Sequence, residues 1–223
     1  TGAEAAVPPA PEVTPELADW IRQEPLATER TDGRPAPDII NVAFLGSEQD
    51  LQDAFSAAGW YRADPATIRN YSRMFGAFNS MREYASAPVS TLLYQDAIPA
   101  LVFEKSLNNV AKRHHVRIWQ TGWIDGEPVW LGAATHDTGI GFNFRGANFT
   151  HKIDKHIDLE RAKVATDLVF AGCSEAPARV ERPNIVLSSG KNALITDGAV
   201  AVLDLQGCTP VTSADDSSAP LPS

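Results

Sequence analysis

Residues 114–137 read HHVRIWQTGWI, then Asp125-Gly126, then EPVWLGAATHD, and the fold turns on how this stretch is read. Apolar and polar residues alternate on both sides of the dipeptide, which is the period of a strand. Asp-Gly joins such runs as a type I′ turn, because that turn needs positive φ at both central residues. A two-residue loop sets Ile124 opposite Glu127, and the register that follows places His114 opposite Asp137 and His115 opposite His136. One face then carries Val116, Ile118, Val129, Leu131 and Ala133, a core face by alternation, with His114 and Asp137 on the same side. The other carries Arg113, His115, Arg117, Trp119 and Trp123 against Trp130, Gly132, Ala134 and His136, which is no ordinary solvent face.

Upstream, PDIINVAFLGS reads as a strand ending at Gly46-Ser47, and EQDLQDAFSAAGW as a helix opened by a Ser47/Asp50 capping box. Neither GxGxxG nor GxxxxGK[ST] is present, so this strand-Gly-helix unit is scaffold. PATIRNYSRMFGAFNSMREYA repeats apolar residues at helical spacing, and STLLY and ALVFEKS read as short strands. Downstream of a Gly-rich loop, THKIDKHIDLERAKVATDLVFAGC predicts a helix capped by Asp158 and stopped at Gly172, with His151, Asp154 and His156 in its approach. NIVLS, ALITDG and AVAVLDL predict two or three closing strands.

Residues 1–37 are rich in Pro and Ala and read as an N-terminal extension or linker, within which Thr14-Pro15-Glu16 can open a short helix. Residues 209–223 read as a disordered tail. The expected domain therefore spans 38–208. It is an α+β fold: an antiparallel sheet with a central hairpin at about 113–137, packed by three or more helices, plus a C-terminal β meander.

At 223 residues with 43% hydrophobic and 21% charged side chains, the chain can bury one sizeable core. A net charge of -9 argues against nucleic acid as a partner, since phosphate-backbone affinity is built from clustered Lys and Arg. No run approaches the roughly 18–20 apolar residues of a spanning helix, so no integral membrane segment is expected in this sequence. The opening TGAEAAVPPAPEVTP looks like the region after a removed leader. Cys173 and Cys208, at the ends of a predicted helix and strand, suggest a disulfide and with it an oxidising compartment, periplasmic or secreted.

The blocks PDIINVAFLGSEQDLQDAFSAAGW, APVSTLLY, ALVFEKS, KRHHVRIW, EPVWLGAATHDTGIG and THKIDKHIDLER, in this order and spacing, resemble the LssY C-terminal domain family over about residues 38–173. The family pattern falls on His114, His115, Arg117, Trp119, Trp130, Gly132, Ala133, Asp137, Thr150, His151, Ile153, Asp154, Asp158, Glu160 and Arg161. Lys155 and His156 stand where a Pro and an acidic residue are usual. The resemblance implies a bacterial cell-envelope setting, with membrane-associated or envelope proteins as partners, and an activity that is unassigned.

Chemically, His115, Asp137 and His151 are the candidate catalytic set, a proton carrier with orienting groups. Arg117, Trp119, Trp130, Asp154 and Arg161 are candidate ligand-binding residues, since guanidinium groups suit oxyanions and indole faces suit stacking. The expected function is an envelope accessory or ligand-binding domain for a phosphate- or carboxylate-type anion; the alternative is a small phosphate-type hydrolase, metal-assisted or not. His115 or His114, Asp137, His151 and Asp154 are of metal-binding type, but no HExxH or other tight spacing occurs, so no metal set is assigned and the cofactor is unknown. A third reading makes the whole constellation a structural network, with Asp137 pairing with His114, and Glu160 and Arg161 bridging to Arg113 or Asp154.

Overall fold

In a computed structural model of the chain, the structure describes residues 12–30, 35–63, 92–106, 113–143, 148–182, 194–205 and 207–208. The helix expected at 65–85, the strand expected at NIVLS and the tail from 209 lie outside these residues. The elements are α1 (Pro15–Gln23), β1 (Ala27–Arg30), β2 (Pro35–Ile39), β3 (Val42–Leu45), α2 (Glu48–Ala57), β4 (Tyr61–Arg62), β5 (Leu92–Leu93), β6 (Leu101–Ser106), β7 (Arg113–Ile124), β8 (Glu127–Asn143), β9 (Asn148–Ile153), α3 (Ile157–Phe170), β10 (Ala178–Val180) and β11 (Val200–Asp204).

The main sheet runs β10-β11-β3-β8-β7-β6-β4, with β9 pairing the far half of β8, and a second sheet runs β2-β1-β5. The main sheet is mixed rather than wholly antiparallel as expected, because β11 runs parallel to β3. Of the expected closing strands, AVAVLDL forms β11, which with β10 widens this sheet at the β3 edge. Both faces are covered. Phe44, Val116, Ile118, Trp130 and Ala134 pack beneath Leu51 and Phe55 of α2 and Val164 and Leu168 of α3. Ala43, Trp119, Leu131 and Ala133 pack against Leu17 and Ile21 of α1 and against Tyr94. Burial on this scale stabilises by about 1.5–3 kcal/mol per large side chain. Part of the Pro/Ala-rich N-terminal stretch is therefore a packed layer.

The hairpin forms with Asp125 and Gly126 at φ 53° and 85°, as the dipeptide predicts. The expected register holds only as far as Gly122 opposite Val129; Gln120 then pairs with Trp130, so Thr121 is an extra residue on β7. This bulge shifts every later pair by one. His114 faces His136, His115 faces Thr135, and Arg113 faces Asp137, so the pairings of His114 with Asp137 and His115 with His136 are corrected. Because side chains alternate, the shift carries Trp130, Gly132, Ala134 and His136 to the α3 side, and Leu131, Ala133 and Asp137 to the α1 side. The bulge borders a close contact: a Cβ on Gly122 would stand 3.2 Å from the Trp20 ring of α1.

Helix starts follow local chemistry in two cases. Ser47 and Asp50 make both halves of a capping box, and Thr14 accepts from the Leu17 amide. In α3 the expected cap is corrected: the helix begins at Ile157, His156 holds the cap position without a side-chain bond, and Asp158 lies in the first turn. Its carboxylate is occupied by the Thr196 hydroxyl and the Asp197 amide, partners more than thirty residues away that outbid the local cap. Cys173 and Cys208 are bonded, tying the end of α3 to the segment after β11.

Candidate functional site

The bulge divides the polar constellation into two clusters on opposite faces of the sheet. On the α1 face, Arg117 of β7 donates to Asp38 of β2 at 2.5 Å, and His115 Nε2 lies 2.9 Å from Asp137 Oδ2. These four residues are 2–7% exposed. Burial pushes the Asp38 carboxyl above the ordinary range, with Arg117 pulling against it and Asp137 adding to it. His115 Nδ1 is buried with no hydrogen-bond partner among the described residues, a state that costs about 1–3 kcal/mol.

On the α3 face, His114 Nδ1 lies 2.8 and 3.0 Å from the two carboxylate oxygens of Glu160, in the first turn of α3. The His114 ring stacks on His136 at 4.4 Å and meets Trp60 edge-on at 6.3 Å. Beyond His136, its Nδ1 stands 3.9 Å from Asp154 Oδ2. The cluster grades from interior to surface: side-chain exposure is 5% at Glu160, 11% at His114, 27% at His136 and 32% at Asp154. Burial, then the neighbouring His114, holds the His136 imidazole below its usual range, which keeps it neutral near pH 7.

Of the residues singled out in the sequence, His115 and Asp137 are brought together. His151 lies in β9 opposite Ile140; its side chain is outside the described residues. Arg117 and Trp119 share the α1 face, and Trp119 donates its indole N–H to Ala97 O. Trp130 and Asp154 fall to the other face, where Trp130 donates to Gly46 O. Arg161 grips Asp197 through both terminal nitrogens, at 2.7 and 2.9 Å, and also donates to Asp158 and to Ala199 O. The expected structural pairs are corrected as well: Glu160 bonds His114 and not Arg113 or Asp154, Arg113 pairs with Glu104 at 3.4 Å, and Asp137 holds His115.

Three residues of these clusters were missing from the candidate set: Asp38, His136 and Glu160. Glu160 fits equally well as a first-turn carboxylate favoured by the helix dipole, and His136 becomes visible only once the bulge is known. A cleft of about 270 Å³ at the turn end of the hairpin is lined by Glu12, Leu17, Ile124, Glu127, Glu175 and Asp204, among others. It contains none of the candidate residues, and its acidic rim disfavours anions.

No curated protein and no solved structure matches the chain. A family model described as the LssY C-terminus matches residues 20–200, extending the resemblance at both ends to take in the last turn of α1 and the first residue of β11. With four fifths of its length so matched, the chain belongs to the LssY C-terminus family.

Proposed function

We propose that this chain is an extracytoplasmic accessory domain of the bacterial envelope that binds a partner or small ligand and does no chemistry of its own at His115 and Asp137. Burial carries the reading. Proton transfer needs hydrogen-bond reach or one bridging water, and His115 and Asp137 are 3% and 7% exposed beside the Asp38–Arg117 pair. Opening that network strands a buried charge, at about 3–5 kcal/mol. The disulfide fits an oxidising compartment, and no described helix is long and apolar enough to cross a membrane.

For the ligand, the phosphate or carboxylate class remains the reading. Arg161, joined by Arg179 at 3.0 Å, already clamps the partly exposed carboxylate of Asp197, so an anion of this class would compete with Asp197. One observation favours the hydrolase alternative: His115 is oriented by Asp137 through Nε2 while Nδ1 has no hydrogen-bond partner among the described residues, the arrangement of a general base.

Hydrolysis of p-nitrophenyl phosphate by wild type and His115→Ala separates the two. No turnover by either is expected. Turnover by wild type that His115→Ala abolishes would sink the accessory reading. Calorimetry with inorganic phosphate on Asp197→Ala then tests the clamp, where binding tighter than wild type is expected.

A further inference from the structure

We infer that His114, His136 and Glu160 form a binding site for a divalent transition-metal ion of the zinc type. The inference goes beyond the accessory reading and does not depend on it. One ligand atom from each residue lies within 4.8 Å of the other two. Bonds of about 2.0–2.2 Å to a tetrahedral ion set ligand atoms about 3.3–3.6 Å apart, so small side-chain rotations close the set. Two imidazoles and one carboxylate select zinc and its neighbours over magnesium or calcium, which prefer all-oxygen cages.

The architecture suits the task in three further respects. The ligands come from three elements, β7, β8 and α3, and the two strands are hydrogen-bonded neighbours, with His114 directly opposite His136. The backbone separation of the two imidazoles is therefore set by the sheet and not by a loop, as a precise site requires. Glu160 and His114 form the buried floor, while His136 lies toward solvent, leaving the fourth position of a tetrahedral ion on the open side for water or a ligand atom. Asp154, 3.9 Å from His136 Nδ1, stands where an outer carboxylate orients a ligating imidazole that binds through its other nitrogen. The ion inserts between His114 Nδ1 and the Glu160 carboxylate, in place of their direct contact.

The three ligands do not come in one short motif, so no spacing in the sequence marks them as a set. Their convergence depends on Thr121: without the bulge, His136 would lie on the opposite face from His114.

The test is titration of the chelator-treated full chain with Co²⁺, read by the visible bands of four-coordinate cobalt, and with Zn²⁺ by calorimetry. About one ion per chain is expected. His136→Ala removes a partly exposed ligand without stranding a buried charge, and Glu160→Gln keeps the shape and a hydrogen bond to His114. Each is expected to weaken binding by more than the about 10–100-fold that follows loss of an outer partner alone, while Asp154→Asn falls within that range. Far-UV circular dichroism and a thermal melt confirm that each variant is folded. Absence of the cobalt bands in wild type overturns the site, as does zinc affinity in folded His136→Ala and Glu160→Gln within twofold of wild type. Either result leaves the accessory reading standing, since that reading fails only on phosphate-ester turnover that His115→Ala abolishes.

Discussion

His114 stacks on His136 across two neighbouring strands, ring centroids 4.4 Å apart and planes 17° from parallel, although the hairpin turn alone would set His114 against Asp137. The one unpaired residue, Thr121, makes the difference. It assigns His114 and His136 to the α3 face with Glu160, and His115, Arg117 and Asp137 to the α1 face with Asp38. A single residue of register thus sorts one polar constellation into a sealed network and a cluster that reaches solvent.

The sealed pair should behave as a buried ion pair. Removing one partner, as in Arg117→Ala, leaves the Asp38 carboxyl unpaired and is expected to destabilise by about 3–5 kcal/mol. The double variant Asp38→Leu with Arg117→Met is expected to recover most of that loss, because well-packed apolar replacements avoid desolvating two charges. Urea denaturation of wild type, Asp38→Leu, Arg117→Met and the double variant in a double-mutant cycle checks this; additive losses would mean that the two groups act independently.

Reduction of the Cys173–Cys208 bond opens a loop of sequence separation 35. In the chain-entropy account such a loop is worth about 3–4 kcal/mol. The Cys173→Ser, Cys208→Ser variant should melt well below wild type, and reductant should lower the wild-type melting temperature while leaving the variant unchanged.

Acid should act through Asp197. Hydrogen bonds from Arg161, chiefly, and from the Ala199 amide and Arg179 hold its carboxyl well below the usual range, against partial burial; Asp158 and Thr196 complete its surroundings. A depressed folded pKa gives stability that is present above the unfolded value of about 3.9 and is lost as pH falls through the folded one. Asp197→Asn should therefore melt lower than wild type at pH 7, and the difference should shrink as pH falls below about 4. A gap that holds constant down to pH 2.5 would exclude this linkage.

Gly132 tests the packing of the central strands. A Cβ there would come within 2.7 Å of Val42 Cγ2 on the neighbouring strand, with no exposed space to yield into. Gly132→Ala is expected to cost about 1–3 kcal/mol by overpacking, read from the chemical denaturation midpoint. Gly132→Ala combined with Val42→Ala should restore part of it.

Much of the local structure was legible in the sequence. The Asp125-Gly126 turn, the Ser47/Asp50 box and the Thr14 cap are each specified by residues at most three apart, and they form as expected because those interactions complete themselves within one turn. The cap of α3 was not legible, since Asp158 has better partners in Thr196 and Asp197. The site was half legible: His115 and Asp137 do meet, and Glu160 stands in the family pattern, while Asp38 and His136 gave no distinct signal.

The sequence by itself determined the hairpin, the alternation that buries both strands, and the family to which the chain belongs. Only the tertiary structure decided which polar groups pair and which reach the surface. The reason is physical: a turn dictates register only to the first irregularity, and the bulge at Thr121 lies beside α1, whose Trp20 packs against Gly122. Beyond that point, the face a residue occupies, and hence the partner of every buried charge, follows from which strands and helices lie alongside.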